Sequence, residues 1–290
     1  MNTFSGPAAY ASACEIAATC RMTQRLMMRE FPTPAGGPVD VMNESAHWSF
    51  GVFSQYDEDG LVLFVLHLLG QGGQVLLDIG AGHGLPSNSA NLLVHHGWSG
   101  ILVDAADGKL RAYEAFLRSR LETRWRTPRF VTAELTATNV VDTLAAVCTP
   151  ERPDLMSIDV DGIDYWIADQ VLRTYRPRVV MVEYQECWPA DEAITVPPDW
   201  QRGRYDEHWY FGASLAAFHS LACRHGYLLA AVSASGFNAL FVNSEEARGR
   251  IRAVTPAACL SVRSEKLTER RRHLRGLPWL NVTAPSEQPW

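Results

Sequence analysis

The sequence lacks several features that would each indicate a class of protein. Its six cysteines include no C-x-x-C pair, which argues against a zinc cluster and against a thioredoxin-type site. Its first twenty residues contain no lysine or arginine and no long apolar run, so neither a signal peptide nor a transit peptide is indicated. No apolar stretch approaches the roughly 20 residues that a membrane-spanning helix needs. We therefore expect a cytoplasmic protein with reduced thiols and no membrane partner.

Positive charge is also in short supply. The chain has 26 Lys and Arg residues against 32 Asp and Glu residues, a net charge of -6. Proteins that bind a phosphate backbone normally carry a basic surplus, so a small molecule is a better expected partner than a nucleic acid. With 290 residues, of which 47% are hydrophobic, the chain can bury one large core, and we expect one main domain.

Short apolar runs alternate with longer amphipathic ones from Val75 onward. This alternation is typical of βαβ units and predicts an α/β fold with a mostly parallel sheet. Seven strands are expected, and the last two form an antiparallel hairpin: residues 75–79, 101–104, 130–133, 155–160, 179–184, 227–233 and 237–242. Helices are expected between them, at residues 87–96, 109–120, 140–147, 165–175 and 213–225.

The two ends of the chain differ in pattern from this alternating region. Residues 10–31 have helical spacing and are followed by a stretch rich in proline and glycine, which indicates a separate helical element. A second apolar helix is expected at residues 59–69. We predict an N-terminal helical cap or lid over residues 1–50, the α/β domain over 51–250 and a C-terminal extension over 251–290, with the basic stretch 265–275 as a solvated helix face.

A glycine-rich turn follows the first predicted strand. Gly80, Gly82 and Gly84 form a G-x-G-x-G pattern, which differs from the G-x-G-x-x-G of dinucleotide-binding proteins. Glycine permits close approach of backbone to a ligand and backbone angles that a Cβ atom disfavours. Asp78 closes the strand, and a carboxylate there needs a partner, either the amine of a ligand or nearby backbone amides. The loop is the predicted centre of a cofactor site.

Asp104 ends the second predicted strand, twenty residues after Gly84. An acidic residue at this place can accept hydrogen bonds from both hydroxyls of a ribose, as in nicotinamide-binding enzymes. Asp104 is therefore the predicted ribose ligand. The alternative is that its side chain caps the helix that follows.

Five segments carry a resemblance to a known family: 54–60 (SQYDEDG), 78–84 (DIGAGHG), 157–166 (SIDVDGIDYW), 182–185 (VEYQ) and 210–215 (YFGASL). They resemble class I methyltransferases that use S-adenosylmethionine (SAM), in particular the FkbM-like group of natural-product pathways. The resemblance extends over about residues 50–245 and implies a seven-stranded Rossmann-like fold with SAM at the carboxyl edge of the sheet. Ile163 and Gln185 depart from the family pattern, which has asparagine at both positions.

The resemblance also implies roles for individual residues. Asp78 and the three glycines would lie near the methionine part of SAM, and Asp104 would bind its ribose. Gln55 is assigned to the cofactor site, and Glu134 or Asn139 would lie near the adenine. Asp159 and Asp161 are expected to face the sulfonium and the substrate. Tyr184 is a further catalytic candidate.

Asp159, Asp161 and Asp164 are three carboxylates within six residues. Hard cations prefer several oxygen ligands, so a magnesium or calcium site is one interpretation. An EF-hand loop would need a glycine and a distal glutamate in register, and neither fits. We favour a site without metal in which Asp159 is a general base or a charge partner for the amine of the cofactor, and Asp164 caps the next helix.

Two reactions remain open at this stage. In the first, a hydroxyl, amine or acid of a small metabolite takes the methyl group of SAM. In the second, the α-amine of SAM closes a four-membered ring, giving azetidine-2-carboxylate and methylthioadenosine, as in the azetidine-2-carboxylate synthases that resemble this group. Methyl transfer is the favoured expectation, and a catalytically silent SAM-binding subunit is a third hypothesis, because a fold by itself does not establish an activity.

Overall fold

The computed structural model describes residues 7–120, 122–123, 126–201, 209–234, 236–260 and 265–282. Its main sheet has seven strands in the order β3-β2-β1-β4-β5-β8-β7, which confirms the predicted α/β architecture. Neighbouring strands are parallel except β8, which is antiparallel to both β5 and β7. The strands of this sheet are β1 (Val75–Ile79), β2 (Ser99–Asp104), β3 (Arg129–Thr132), β4 (Leu155–Ile158), β5 (Val179–Glu183), β7 (Tyr227–Val232) and β8 (Asn238–Asn243), and a separate pair is formed by β6 (Ile194–Thr195) and β9 (Leu280–Asn281).

Every helix predicted from the sequence is present, with its ends within three residues of the predicted ones, while α2, α9 and α10 were not predicted. They are α1 (Pro7–Glu30), α2 (Val41–Trp48), α3 (Glu58–Leu69), α4 (Ala90–His96), α5 (Asp107–Arg118), α6 (Val140–Ala146), α7 (Asp164–Thr174), α8 (Leu215–Arg224), α9 (Ser244–Ala247), α10 (Pro256–Cys259) and α11 (Glu265–Leu274), with a 3₁₀ turn at Pro34–Gly36. The largest differences are at the starts of two helices: α1 begins at Pro7 rather than at residue 10, and α4 begins at Ala90 rather than at residue 87. Ser87 is held outside the helix because its backbone N–H donates to the carbonyl of Phe53.

Apolar side chains cover both faces of the sheet. Successive residues of a strand point to opposite faces, so Leu76 and Leu155 enter one core while Leu77 and Met156 enter the other. Helix α3 belongs to the first core and is buried along nearly its whole length, with His67 its one residue that is not buried. This two-sided burial explains why β1, β4 and β5 read as continuous apolar runs in the sequence.

Helix α1 packs against α4 through a buried polar contact. The side chains of Gln24 and Asn91 exchange two hydrogen bonds, of 3.0 and 3.1 Å, and His96 Nε2 lies 2.7 Å from Gln24 Oε1. These contacts fix the second half of the helix, and its proposed role as a lid stays a prediction. Within the described part of the chain, no helix is both long and apolar enough to cross a membrane.

The helix predicted over residues 265–275 is present as α11, and one face of it is solvated as expected, with Thr268, Glu269, Arg272 and His273 exposed. The opposite face packs against the domain. Leu274 is fully buried, and Arg270 forms an ion pair with Glu186, which is itself buried. Arg270 also lies over the ring of Trp209, 3.6 Å from its centroid. These contacts are long-range in sequence, and the basic composition of the helix gave no sign of them.

Arg178→Ala should destabilise the fold strongly. The Arg178 guanidinium is buried beside Asp154, 3.2 Å away, and also donates to the carbonyl of Leu69. Removing one partner of a buried ion pair leaves an uncompensated charge and costs about 3–5 kcal/mol. Urea denaturation followed by circular dichroism measures the change in the free energy of unfolding. The exposed ion pair of Arg111 with Asp107 supplies the control, since Arg111→Ala should give no measurable change.

Candidate functional site

Four acidic residues meet at one edge of the main sheet. Asp78 lies in β1, Asp104 ends β2, Glu183 ends β5, and Asp159 directly follows β4. These four strands are parallel neighbours, so their carboxyl ends lie at the same edge. In open α/β sheets this edge is where ligands bind.

The three glycines of the loop have distinct roles. All have positive φ angles, of +86° at Gly80, +61° at Gly82 and +84° at Gly84, which confirms the expectation that the turn needs glycine. A Cβ atom at Gly80 would lie 1.7 Å from the carbonyl oxygen of Asp159, and one at Gly84 would lie 2.2 Å from the Tyr113 ring. At Gly82 the same position has no atom within 4 Å. Open space for a ligand therefore lies at Gly82, whereas the other two glycines allow close contact within the protein.

Asp104 joins the glycine loop to the end of β2. Its Oδ2 accepts a hydrogen bond of 2.9 Å from the Gly82 N–H, and its Oδ1 accepts one of 2.7 Å from the Ala106 N–H. Helix α5 begins at Asp107, so Asp104 holds the turn before the helix instead of capping its first N–H groups. Each carboxylate oxygen has a second lone pair, which leaves Asp104 able to accept two further hydrogen bonds beside the open space at Gly82.

Asp78 lies beneath the loop in a network of hydroxyl groups. Its Oδ2 accepts a hydrogen bond from the Ser89 hydroxyl, which lies 3.1 Å from the Tyr113 hydroxyl. The Tyr113 hydroxyl is also 2.9 Å from Ser87 Oγ. Burial raises the pKa of Asp78 to about 6, against the effect of the Ser89 hydrogen bond. A serine hydroxyl thus supplies the partner that the sequence analysis expected from backbone amides or a ligand amine.

Asp159 and Glu183 form a pair of adjacent carboxyl groups. The pairing of Ile158 with Val182 puts the next residues of the two strands side by side on the same face. Burial, followed by the charges of neighbouring carboxylates, raises the pKa of Asp159 well above its usual range and that of Glu183 to about 10. Raised pKa values favour the protonated form of a carboxyl group, so the pair holds a proton at neutral pH. One oxygen each from Asp159, Asp161 and Glu183 lie within 4.8 Å of one another.

Glu183 was not among the candidates named from the sequence. The signal was present, because Glu183 closes an apolar strand in the same way as Asp78 does. The neighbouring Tyr184 was named instead, but its side chain is packed with Val182 in the apolar cluster on the opposite face of the sheet. A catalytic role for Tyr184 stays a prediction, while the structure brings Glu183 to Asp159.

Asp164 has a different role from the predicted helix cap. It is the first residue of α7, and its two oxygens accept hydrogen bonds of 2.7 Å from the Val160 N–H and 2.8 Å from the Gly162 N–H. It therefore fixes the turn that carries Asp159 and Asp161. Burial raises its pKa to about 6, partly offset by these hydrogen bonds.

The remaining predicted cofactor residues lie in two loops at this edge. Gln55 is exposed in the segment 51–57, where Asp59 accepts hydrogen bonds from the N–H groups of residues 52, 53 and 54. Asn139 spans the loop after β3, accepting from Thr136 and donating to the carbonyl of Glu134, whose side chain is exposed. The Ala133 N–H, next to this loop, donates to the carbonyl of Asp104. Roles for Gln55, Glu134 and Asn139 in binding a cofactor stay predictions.

Buried oxygen atoms without a hydrogen-bond partner also occur at this edge. Among the described residues, Ser157 Oγ, Glu183 Oε2 and Asn238 Oδ1 have none. Ser157 precedes Asp159 by two positions on the same face of β4, and Asn238 is paired with Glu183 across the sheet. Buried polar atoms without partners are uncommon in proteins, and their grouping here marks a place for a ligand that donates hydrogen bonds.

A separate cavity of about 450 Å³ lies at the opposite edge of the sheet, beside α1. Its lining is mostly apolar and includes Arg178 and Asp154. Those two groups are already paired with each other. The carboxyl edge, in contrast, has the open space at Gly82, the Asp104 carboxylate and the Asp159–Glu183 pair. We therefore take the carboxyl edge as the functional one.

Comparison with models of protein families gives no match, and comparison with curated proteins gives none either. Among solved structures, the chain is similar to an O-methyltransferase from Bacillus cereus in complex with SAH (S-adenosylhomocysteine), at 18% identity over 69% of this chain and 86% of the other, with a TM-score of 0.41. It is also similar to magnesium protoporphyrin IX methyltransferase from Synechocystis PCC 6803 with bound SAM, at 13% identity over 63% and 76% of the two chains, with a TM-score of 0.39. At these identities the likeness concerns the fold alone.

Glu183→Gln should stabilise the free protein, and by more as the pH rises. The folded state keeps a proton on this carboxyl group up to about pH 10, whereas the unfolded state loses it near the usual value of 4.5. Between those limits the folded state binds more protons, so the stability of the wild type falls as pH rises. Glutamine does not titrate, so the variant lacks this loss of stability. Urea denaturation at pH 5, 7 and 9 measures the difference in the free energy of unfolding between the variant and the wild type.

The control for this experiment is Glu114→Gln, at the ion pair of Glu114 with Arg118 on the surface of α5. It should show no comparable trend with pH. A stability difference for Glu183→Gln that is absent or shrinks as the pH rises would contradict the assignment of a shared proton.

Proposed function

We propose that the chain is a SAM-dependent enzyme of small-molecule biosynthesis that transfers the methyl group of SAM to a small acceptor. The observation that carries this proposal is the open space at Gly82, with the Asp104 carboxylate on one side and the Asp159–Glu183 pair on the other. The fold supports it, since the carboxyl edge of such a sheet is where nucleotide cofactors bind. The two solved methyltransferases named above have SAM and SAH bound.

The residues present suit the chemical groups of SAM. Asp104 would bind the ribose hydroxyls, since both its oxygens keep acceptor capacity beside the loop. The Gly82 backbone would lie against the cofactor where a side chain is absent. Asp78, with Ser89, would support the loop from below. When bound, SAM supplies a methyl group activated by its sulfonium charge, and the protein has to position a nucleophile and manage its proton.

The Asp159–Glu183 pair is suited to accept that proton. A general base works best when its pKa is close to the working pH, and burial moves carboxyl groups in that direction. Here burial and mutual repulsion raise the pKa of both groups. The nucleophile would give its proton to a carboxylate oxygen of the pair, and the resulting neutral carboxyl group would be favoured by its buried position.

Cyclisation of SAM is the second candidate, and one contact favours it. The carbonyl of Asp159 lies where a Cβ of Gly80 would be, so the base directly adjoins the glycine loop. A base at this position could take a proton from the amine of the cofactor itself, which would then need no second substrate. The products would be azetidine-2-carboxylate and methylthioadenosine.

Incubating the purified chain with SAM alone separates these possibilities. Mass spectrometry of the nucleosides should find SAM intact and bound if the enzyme is a methyltransferase that lacks its acceptor. Methylthioadenosine together with a four-carbon cyclic amino acid would establish the cyclase instead. Failure to bind SAM would contradict the proposed cofactor, and SAM binding without turnover on any acceptor tried would support a silent binding subunit.

Asp104→Ala should weaken SAH binding by about 1.5–3 kcal/mol, measured as the dissociation constant by calorimetry. The expected loss comes from charge-assisted hydrogen bonds between the carboxylate and the ribose. The control is Asp107→Ala, a change three residues away at a carboxylate that pairs with Arg111 on the surface. An unchanged dissociation constant for Asp104→Ala would show that the ribose binds elsewhere.

A further inference from the structure

Polar side chains continue across the sheet beyond the glycine loop. We call Ser157, Asp159, Glu183 and Asn238 the polar row. They lie at the ends of the adjacent strands β4, β5 and β8, and the pairing registers put their side chains on one face. The row therefore extends away from β2, the strand that ends in Asp104.

The polar row contains mainly hydrogen-bond acceptors. Ser157 is 1% exposed and Asn238 is 8% exposed, and Ser157 Oγ and Asn238 Oδ1 have no partner among the described residues. The Asn238 amide nitrogen donates to Glu58 Oε1 at 3.0 Å. This bond orients the amide and leaves its oxygen as a hydrogen-bond acceptor for a ligand. Glu183 Oε2 is likewise buried without a partner.

The charges around the row are negative. The groups that act most strongly on Asp159 and Glu183 are other carboxylates: Asp164, Asp161, Asp78 and Glu186. Glu186 is already paired with Arg270 of α11. Within the described part of the chain, no cation is among these strongest influences. A buried carboxylate without a cationic partner is costly, so the row is complementary to a positive ligand.

We propose that the polar row binds a primary ammonium group of the second substrate, so that the methyl acceptor is an amine. This inference rests on the proposed methyl transfer. An ammonium group carries three N–H donors and no acceptor, which matches a set of carboxylate, hydroxyl and amide oxygens. A neutral alcohol would leave the charge of the pair uncompensated.

The position of the row assigns the ammonium to a second substrate. Neighbouring strands are about 4.8 Å apart, so Glu183 is about 14 Å from Asp104 across the sheet, and Asn238 is about 19 Å from it. A ligand whose ribose lies on Asp104 would extend past β1 before reaching β5. A cofactor bound in this way would leave the far end of the row to a separate molecule.

The pair would also take up the proton that the amine must lose. One N–H bond of the ammonium breaks, its proton goes to a carboxylate oxygen of Asp159 or Glu183, and the electron pair stays on nitrogen. The amine becomes neutral and nucleophilic while the pair gains one proton, so charge is conserved. Glu183 is then a catalytic residue that touches the substrate.

A divalent cation is the competing occupant. The carboxylate oxygens of Asp159, Asp161 and Glu183 lie within 4.8 Å of one another. Mg²⁺ requires near-octahedral coordination by six oxygens and usually keeps several waters, whereas the oxygens of Ser157, Glu183 and Asn238 that have no partner among the described residues are buried away from water. We therefore favour the ammonium, and the experiment includes an arm for the metal.

The test uses benzylamine and benzyl alcohol, which have the same shape and differ in charge. An aromatic probe suits the site because Tyr56, whose ring stacks on that of Phe237 at 5.6 Å, donates its backbone N–H to Glu58, the hydrogen-bond partner of Asn238. Binding of each probe to the full chain saturated with SAH is measured by saturation-transfer NMR. Benzylamine should bind at least about tenfold more tightly than benzyl alcohol in the wild type, equivalent to about 1.4 kcal/mol.

Glu183→Gln should reduce this preference to less than about threefold while the dissociation constant of SAH changes by less than about twofold. Glu186→Gln is the matched control, because Glu186 is a nearby carboxylate whose charge is already balanced by Arg270, and it should retain the preference. Asn238→Ala provides a second variant on another strand, with an expected loss of about threefold or more in benzylamine affinity. Urea denaturation confirms that each variant is folded.

Several outcomes would overturn the proposal. Equal binding of the two probes by the wild type would exclude an ammonium site, and so would an unchanged preference in folded Glu183→Gln. Displacement of benzylamine by MgCl₂ at about 1 mM, but not by NaCl of equal ionic strength, would assign the row to a metal. Absence of SAH binding to the wild type would instead contradict the proposed cofactor, and with it the assignment of the amine as second substrate.

Discussion

The close approach of two backbones at Gly80 is the contact on which the site depends. The Asp159 carbonyl occupies the space that a side chain at Gly80 would fill, and the Asp159 N–H donates to the carbonyl of Ile79. On the other side, the N–H groups of Gly80 and Ala81 both donate to the carbonyl of Val103. One turn without side-chain bulk thus joins the ends of β1, β2 and β4. Any larger residue at Gly80 would separate Asp159 from the glycine loop.

The buried carboxylates of the protein differ in how their charge is satisfied. Asp164 accepts backbone N–H groups at both oxygens, and Asp154 is paired with Arg178. These groups stabilise a turn and a strand end. Asp159 and Glu183 are half-buried beside each other, and no cationic side chain among the described residues is paired with either of them. This pair of adjacent carboxyl groups is unfavourable in the free protein and does not stabilise a turn or a strand end. Pairs of this sort are typical of a functional site.

The sequence was sufficient to predict the fold but only part of the site. Alternating apolar runs predicted all seven strands, since both faces of the sheet are buried and local patterns carry that information. The sequence analysis also assigned Asp104 and Gly82 to one site, and the structure joins the two residues by a hydrogen bond. Local pattern was not sufficient for α11, since Arg270 contacts Glu186 across 84 positions.

Glu183 shows a second limit, because strand alternation decided which of two neighbouring residues enters the site. The motif directed attention to Tyr184, yet adjacent residues of a strand point to opposite faces. Counting from Leu155 and Val179, which share one core, places Asp159 and Glu183 on the same face. That count needs the register between β4 and β5, which no single-strand pattern contains.

The extent of the polar row bears on which reaction the site is built for. Closing a ring within one cofactor needs a base near the glycine loop, and Asp159 alone would meet that need. Glu183 and Asn238 lie one and two strands farther from the loop, where they add a second carboxyl group and an amide oxygen. Among the described residues, Glu183 Oε2 and Asn238 Oδ1 have no hydrogen-bond partner, which costs stability, and an intramolecular reaction gives no reason for this cost. A second substrate that carries a positive charge does, because its ammonium group would satisfy the oxygens that the protein leaves unpaired.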